Sequence, residues 1–284
     1  MATKISISFR TGKSTLFNAV AFFKLWSPSS NVTFPPPATM ITNGHRSVCT
    51  KQIQQSQISV SNQSAFNISV PGFPVDSPLS GLEDVMIGYI LGKTKATEVA
   101  HLAWKYIVQE GDTVVDATCG NGHDTLALVK LVTADKTQRG RVYSLDVQKF
   151  ALEKTLALLD ESLDKDEKEI VKLVETCHSK MHEVVPKGEP VRVVAFNLGY
   201  LPGGDKALIT GPKTTLMALE SAKDLLTHGG LISVVGYVGH PGGREEFETV
   251  LEFGSRLPVD EWSCCELRML NRPLAPVLVF MFKR

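Results

Sequence analysis

Up to about residue 75 the chain shows neither the helical nor the strand rhythm of apolar positions. Ser, Thr, Asn, Gln and Pro dominate there, including Pro35-Pro36-Pro37, and nothing offsets the entropy of ordering the backbone. From Pro78 the pattern becomes regular. Leu82, Val85, Met86, Tyr89, Ile90 and Leu91 recur at helical spacing, as do Val99, Leu102, Ala103, Tyr106 and Ile107, which predicts two leading helices. Short apolar runs then alternate with helical stretches. Strands are expected at 113–117, 141–145, 171–175, 191–196 and 230–237. Helices are expected at 122–133, 148–163, 181–185, 213–227 and 243–254, with Phe150, Leu152, Leu156 and Leu159 of the second facing inward. Runs at 262–267 and 276–282 close the chain as two strands joined by Asn271-Arg272-Pro273, with no helix between them. The alternation implies an α/β fold: a seven-stranded, mostly parallel sheet with helices on both faces and one antiparallel strand near the end.

Charge divides the chain at the same boundary. The whole sequence carries 30 basic and 30 acidic residues, but no Asp or Glu precedes Asp76, whereas Lys4, Arg10, Lys13, Lys24, Arg46 and Lys51 do. The remainder holds 24 basic against 30 acidic residues, a net of about −6. An acid-free, Ser/Thr-rich, basic leader over 1–75 is the composition of an organellar transit peptide, with a domain over 78–284 behind it. Its Ser richness and lack of an Arg-rich amphipathic start favour the chloroplast over the mitochondrion. Leu16–Trp26 is too short to span a bilayer. Thr11-Gly-Lys-Ser-Thr15 imitates a phosphate-binding loop, but Ile7 stands where its first glycine belongs. Five cysteines show no metal-ligand spacing, and no metal is expected.

Candidate chemistry gathers at strand ends, where open α/β sheets bind ligands. Asp116-Ala-Thr-Cys-Gly-Asn-Gly-His-Asp124 follows the first strand. Gly120 and Gly122 permit a tight turn and close approach of a ligand. A dinucleotide fold needs a third glycine, absent here, and would not flank a pyrophosphate with Asp116 and Asp124. Carboxylates suit a nucleoside that carries a sulfonium and an ammonium group, so S-adenosylmethionine is the expected cofactor. Thr118, Asn121 and His123 belong to the same turn. Asp146 ends the second strand, where it can accept both ribose hydroxyls, and Gln148 follows it. As a helix N-cap, Asp146 would have a purely structural role. His178, past the third strand, stands where an adenine would pack.

Asn197-Leu-Gly-Tyr200 follows the fourth strand and opens a long Gly/Pro loop that runs to Pro212. The Asn197 side-chain oxygen and a backbone carbonyl such as that of Leu198 can accept the hydrogens of an amine and aim its lone pair. Gly199 gives room for the cofactor, and Tyr200 can stack on a base. Lys206 and His240 are candidates for phosphate contact or proton acceptance. Each of these residues also suits an ordinary turn.

Together His101-Leu-Ala-Trp104, the 116–125 turn, Phe196-Asn-Leu-Gly-Tyr-Leu-Pro-Gly-Gly-Asp-Lys206 and Tyr237-Val-Gly-His-Pro-Gly-Gly243 resemble the bacterial YtqB-like proteins, also called MnmM, over roughly 82–282. The resemblance implies a Rossmann-like class I methyltransferase fold. It also implies S-adenosylmethionine as donor and the 5-aminomethyl group of a wobble 2-thiouridine as acceptor. The partner is then a tRNA anticodon loop, and the arrangement allows a homodimer. An rRNA or small-molecule methyltransferase of the same fold is the second reading. A non-catalytic S-adenosylmethionine- or RNA-binding module is the third.

Overall fold

The structure, a computed structural model, describes residues 82–134, 140–204 and 207–284. The leader over 1–75 and Lys206 lie outside the described residues. Helices α1 (Leu82–Ile90) and α2 (Ala96–Ile107) precede strand β1 (Thr113–Asp116). There follow α3 (His123–Val132), β2 (Arg141–Asp146), α4 (Lys149–Ser162), α5 (Lys165–Glu169) and β3 (Val171–Glu175). A 3-10 turn at His178–Lys180 leads into α6 (Met181–Val184) and β4 (Val191–Leu198). The remainder is α7 (Pro212–Leu225), β5 (Leu226–Gly236), α8 (Gly243–Arg256), β6 (Trp262–Leu267) and β7 (Val277–Lys283).

The seven strands form one sheet in the order β3-β2-β1-β4-β5-β7-β6. Strand β7 runs antiparallel to both its neighbours, and the other pairings are parallel. Alternation sets the two cores. Val114, Val193 and Leu231 point to one face and pack with Trp104 of α2, Leu128 of α3 and Leu159 of α4. Val115, Val194 and Ile232 point to the other and pack with Leu219 of α7 and Phe247 and Phe253 of α8. A strand buried on both faces must be apolar at successive positions, which is why these segments read as continuous runs rather than as alternating ones. Strand order reverses between β1 and β4, whose carboxyl ends lie side by side with Asp116 opposite Ala195. The crevice at this reversal is where a ligand can enter.

Four expectations need correction. Strand β5 begins at Leu226, inside the helix expected over 213–227, because Leu226 already pairs with Val191 of β4. Strand β4 runs two residues further than the apolar run, because Asn197 and Leu198 pair with Val235 and Gly236 of β5. Asn197 therefore stands on the rigid sheet rather than in the loop. On α4 the inward residues are Ala151, Thr155 and Leu159, whereas Phe150 and Leu156 are exposed. Close approach of α4 to the turn before α3 requires glycine at 122, since a Cβ there would come within 2.9 Å of the Thr155 Cα. Helix α5 buries none of its residues, so no apolar period marks it. Its signal is the capping box Asp164-x-x-Glu167, with both reciprocal bonds at 2.9 Å.

Candidate active site

A cavity of about 700 Å³ opens at the carboxyl ends of β1, β2 and β4. The turn after β1 forms its floor. Gly120 and Gly122 both take positive φ, 52° and 86°, but for different purposes. Gly120 faces the cavity, while Gly122 seats the turn on Thr155 and does not line the cavity. The Gly120 amide donates to Asp146 Oδ2 (3.0 Å), and the Gln148 amide donates to Asp146 Oδ1 (2.9 Å). Asp146 is thus fixed by backbone on two sides, and each of its oxygens keeps a lone pair for the cavity it lines. Burial raises its pKa.

Asp116 does not line this cavity. It is 1 % exposed and braces the turn from behind, accepting from the Thr118 amide (3.2 Å) and the Thr125 hydroxyl (2.6 Å). Burial, with the nearby Asp124 charge second, pushes its pKa up to about 7. The expected pair of flanking charges is therefore replaced by Asp124 and Asp146. Cys119 is buried under the turn, and burial drives its thiol upward, away from nucleophilic use.

At the reversal point three side chains from three elements meet. Asp124, at the start of α3, accepts from His101 Nε2 of α2 at Oδ1 (2.6 Å) and from Asn197 Nδ2 of β4 at Oδ2 (3.2 Å). The Asn197 amide is also held through its backbone, whose N–H donates to Thr118 Oγ1 (2.7 Å). An ionised carboxylate can only accept, so Asn197 must turn its NH₂ to Asp124. Its Oδ1 makes no hydrogen bond among the described residues and belongs to a residue lining the cavity. In the sequence His101 stands out only within the family resemblance. It sits on a helix far from any strand-end motif, and neither spacing nor composition marks it.

The far wall is the segment between β4 and α7. It closes at its base like a hairpin, with Tyr200 bridged to Ile209 and the Thr210 amide donating to the Gly199 carbonyl (3.1 Å). The Thr210 hydroxyl receives the Gly199 amide (2.8 Å) and donates to Glu246 (2.8 Å), which also accepts from Thr215. Glu246, 2 % exposed on α8, is the anchor of this wall, and burial raises its pKa. Sequence reading missed it as one of three acids in a helix start. Tyr200 is 45 % exposed at the rim, and Asn121, His123, Gln148 and Gly199 also line the cavity. His240 does not. It stands edge-on behind Tyr200, ring centroids 6.2 Å apart, with Nδ1 3.0 Å from the Pro241 carbonyl oxygen. It supports Tyr200 rather than facing the cavity.

Two buried polar atoms on lining residues have no protein partner, Asn121 Oδ1 and His178 Nε2. Burial pulls the His178 pKa down to about 4, so its ring is neutral near pH 7. Among the described residues no group of three or more His, Cys, Asp or Glu side chains is placed to hold a metal ion. No described helix is long and apolar enough to cross a membrane.

Residues 142–283 match a family model described as "Putative rRNA methylase". A relative from Arabidopsis thaliana, "tRNA (mnm(5)s(2)U34)-methyltransferase, chloroplastic", is 59 % identical over 217 residues, 76 % of this chain and 79 % of the relative. Two solved bacterial structures share the fold. A protein of Clostridium thermocellum carrying the same family description is 38 % identical, with a TM-score of 0.61 over 67 % of this chain and 98 % of its own. A Streptococcus mutans protein described as "a putative methyltransferase", solved in complex with SAH, is 31 % identical, with a TM-score of 0.58 over 67 % of this chain and 99 % of its own. The chain belongs to this rRNA methylase family, and its sheet is that of the Rossmann-like class I methyltransferases.

Proposed function

We propose that the protein is an S-adenosylmethionine-dependent N-methyltransferase. It converts the 5-aminomethyl group of a wobble 2-thiouridine in organellar tRNA to 5-methylaminomethyl. The observation that carries this reading is the orientation of Asn197. Asp124 claims its NH₂, so the carbonyl oxygen is the group left to meet an acceptor. An acceptor group that itself donates hydrogen bonds, as an amine does, complements this oxygen. The named activity of the Arabidopsis relative, a tRNA methyltransferase, supports the same choice.

The cavity fits the donor. Asp146 offers two fixed oxygens to a ribose diol, and neutral His178 stands edge-on to Phe196 (6.1 Å) with Nε2 unpartnered, beside the space for an adenine. Asp124 places negative charge near a sulfonium, Asn121 Oδ1 can accept from an ammonium, and Thr118, Gly120, His123, Gln148 and Gly199 complete the contact surface. S-adenosylmethionine, when bound, supplies a methyl group on a cationic sulfur, ready for in-line displacement by a neutral amine. This chain's part is positional. Asn197 Oδ1 accepts an amine hydrogen and turns the lone pair inward, Tyr200 stacks on the base, and His240 holds Tyr200 upright. The excess proton leaves to water at the rim, since the Asn197 amide cannot take it.

The acid-free leader supports import into the chloroplast stroma. The test is to incubate the full chain with methyl-labelled S-adenosylmethionine and tRNA bearing 5-aminomethyl-2-thiouridine, then digest the product to nucleosides. Label in 5-methylaminomethyl-2-thiouridine is expected. Label confined to rRNA or to a small metabolite would overturn the reading.

A further inference from the structure

A second cleft of about 290 Å³ lies beside the transfer cavity, between the α1–α2 loop and the β6–β7 turn. Lys95, Thr97 and Tyr237 line both spaces, so the two share a wall. We propose that this cleft is a subsite for a backbone phosphate of the RNA acceptor, next to the nucleotide that is methylated. The inference rests on the tRNA reading above and adds to it where the polyanion is held.

The charge of the cleft is the first argument. Lys93, Lys95 and Arg272 line it, and no carboxylate does. None of the three cations makes an ion pair among the described residues, in a region whose 30 acidic residues outnumber 24 basic ones. Several other cations are neutralised locally. Arg192 pairs with Asp112 (3.0 Å), and Arg268, only four residues before Arg272, pairs with Glu266 (3.1 Å). Glu98, on the first turn of α2, is turned to the Lys95 amide (3.2 Å) and lines the transfer cavity, not this cleft. Three unneutralised cations around one concavity present a site for an anion.

The second argument is construction. Gly92 has φ of 70°, and a Cβ there would fall 2.7 and 2.8 Å from the two terminal nitrogens of Arg272. The guanidinium therefore lies against bare backbone, in a place that any side chain at 92 would take. A planar fork flanked by two ammonium groups matches the oxygens of a phosphate. The third argument is position. The cleft adjoins Tyr237 at the end of β5, on the Asn197 and Tyr200 side of the sheet, away from Asp146 and His178. A nucleotide whose base enters the transfer cavity carries its own phosphates to the rim, and single-nucleotide recognition needs a local contact rather than a wide basic groove.

Full-length Lys93→Glu, Arg272→Gln and Arg272→Lys are compared with the wild type. The readouts are KM and kcat for tRNA across a salt series, S-adenosylmethionine Kd by calorimetry, and melting temperature. Removing one charge-assisted phosphate contact is expected to raise KM for tRNA about tenfold and to flatten the log KM against log salt slope by about one. The kcat and the S-adenosylmethionine Kd stay within about twofold, and Arg272→Lys recovers part of the loss. If Arg272 variants melt early, exposed Lys93→Glu carries the comparison alone. An unchanged KM and slope in a wild-type-like fold overturns the subsite. A Kd for S-adenosylmethionine that weakens in parallel also overturns it, because the anion held would then be the donor's carboxylate. A wild-type chain that methylates no tRNA overturns the function itself, which separates the two failures.

Discussion

Asp116 shows how one residue can be read correctly as important and wrongly as a ligand. Sequence places it at a strand end beside a glycine turn, but only burial shows that it serves the turn from behind. Its pKa is raised to about 7, so the folded state holds a proton that the unfolded chain releases near the ordinary carboxylate range. That preference contributes stability below the unfolded value and is lost as pH rises through 7. Asp116→Asn should remove this dependence. The gap between the two melting curves should close or invert by about 3 °C or more between pH 5 and pH 8, with the wild type losing ground as pH rises. Parallel curves over that window would show that Asp116 stays ionised. Asp146 and Asn197 were legible because each follows directly on an apolar run. His101 was not, because its role exists only through a 2.6 Å contact with a residue 23 positions away.

Every strand of the sheet was legible as an element, although the bounds of β4 and β5 were not. The misreadings share one cause, which is that the sequence does not reveal the neighbour. Asn197 and Leu198 extend β4 because β5 continues beside them. The inner face of α4 is set by Gly122 and not by the bulk of Phe150. The base of the expected Gly/Pro loop, at Gly199 and Thr210, is tied down by a side-chain relay to Glu246. Glu246→Ala strands two hydroxyl donors and should cost about 2 kcal/mol in urea unfolding. It should also speed proteolytic cutting between 200 and 210. Glu246→Gln retains one acceptor and suits the raised pKa of the glutamate, so it should cost less than half as much. Equal losses from both substitutions would mean that volume, not hydrogen bonding, secures the wall.

Across the whole molecule the proposed donor half and the proposed acceptor half differ in how they are encoded. The donor half is nearly local in sequence: the turn after β1, Asp146 at the end of β2 and His178 after β3 come in strand order. The acceptor half draws on α2, the end of β4, the wall before α7 and Tyr237 after β5, so no short motif contains it. Both halves meet at Asp124, which holds Asn197 and is held by His101. The central claim is that this three-residue contact aims an amine at the donor. Single-turnover transfer to an anticodon stem-loop carrying 5-aminomethyl-2-thiouridine, measured alongside S-adenosylmethionine binding, tests it most directly. Asn197→Ala should slow transfer about 100-fold and His101→Ala about tenfold, both with the donor Kd within about twofold of wild type. Asn197→Ala transferring at the wild-type rate, or losing donor affinity as fast as it loses transfer, would contradict the account.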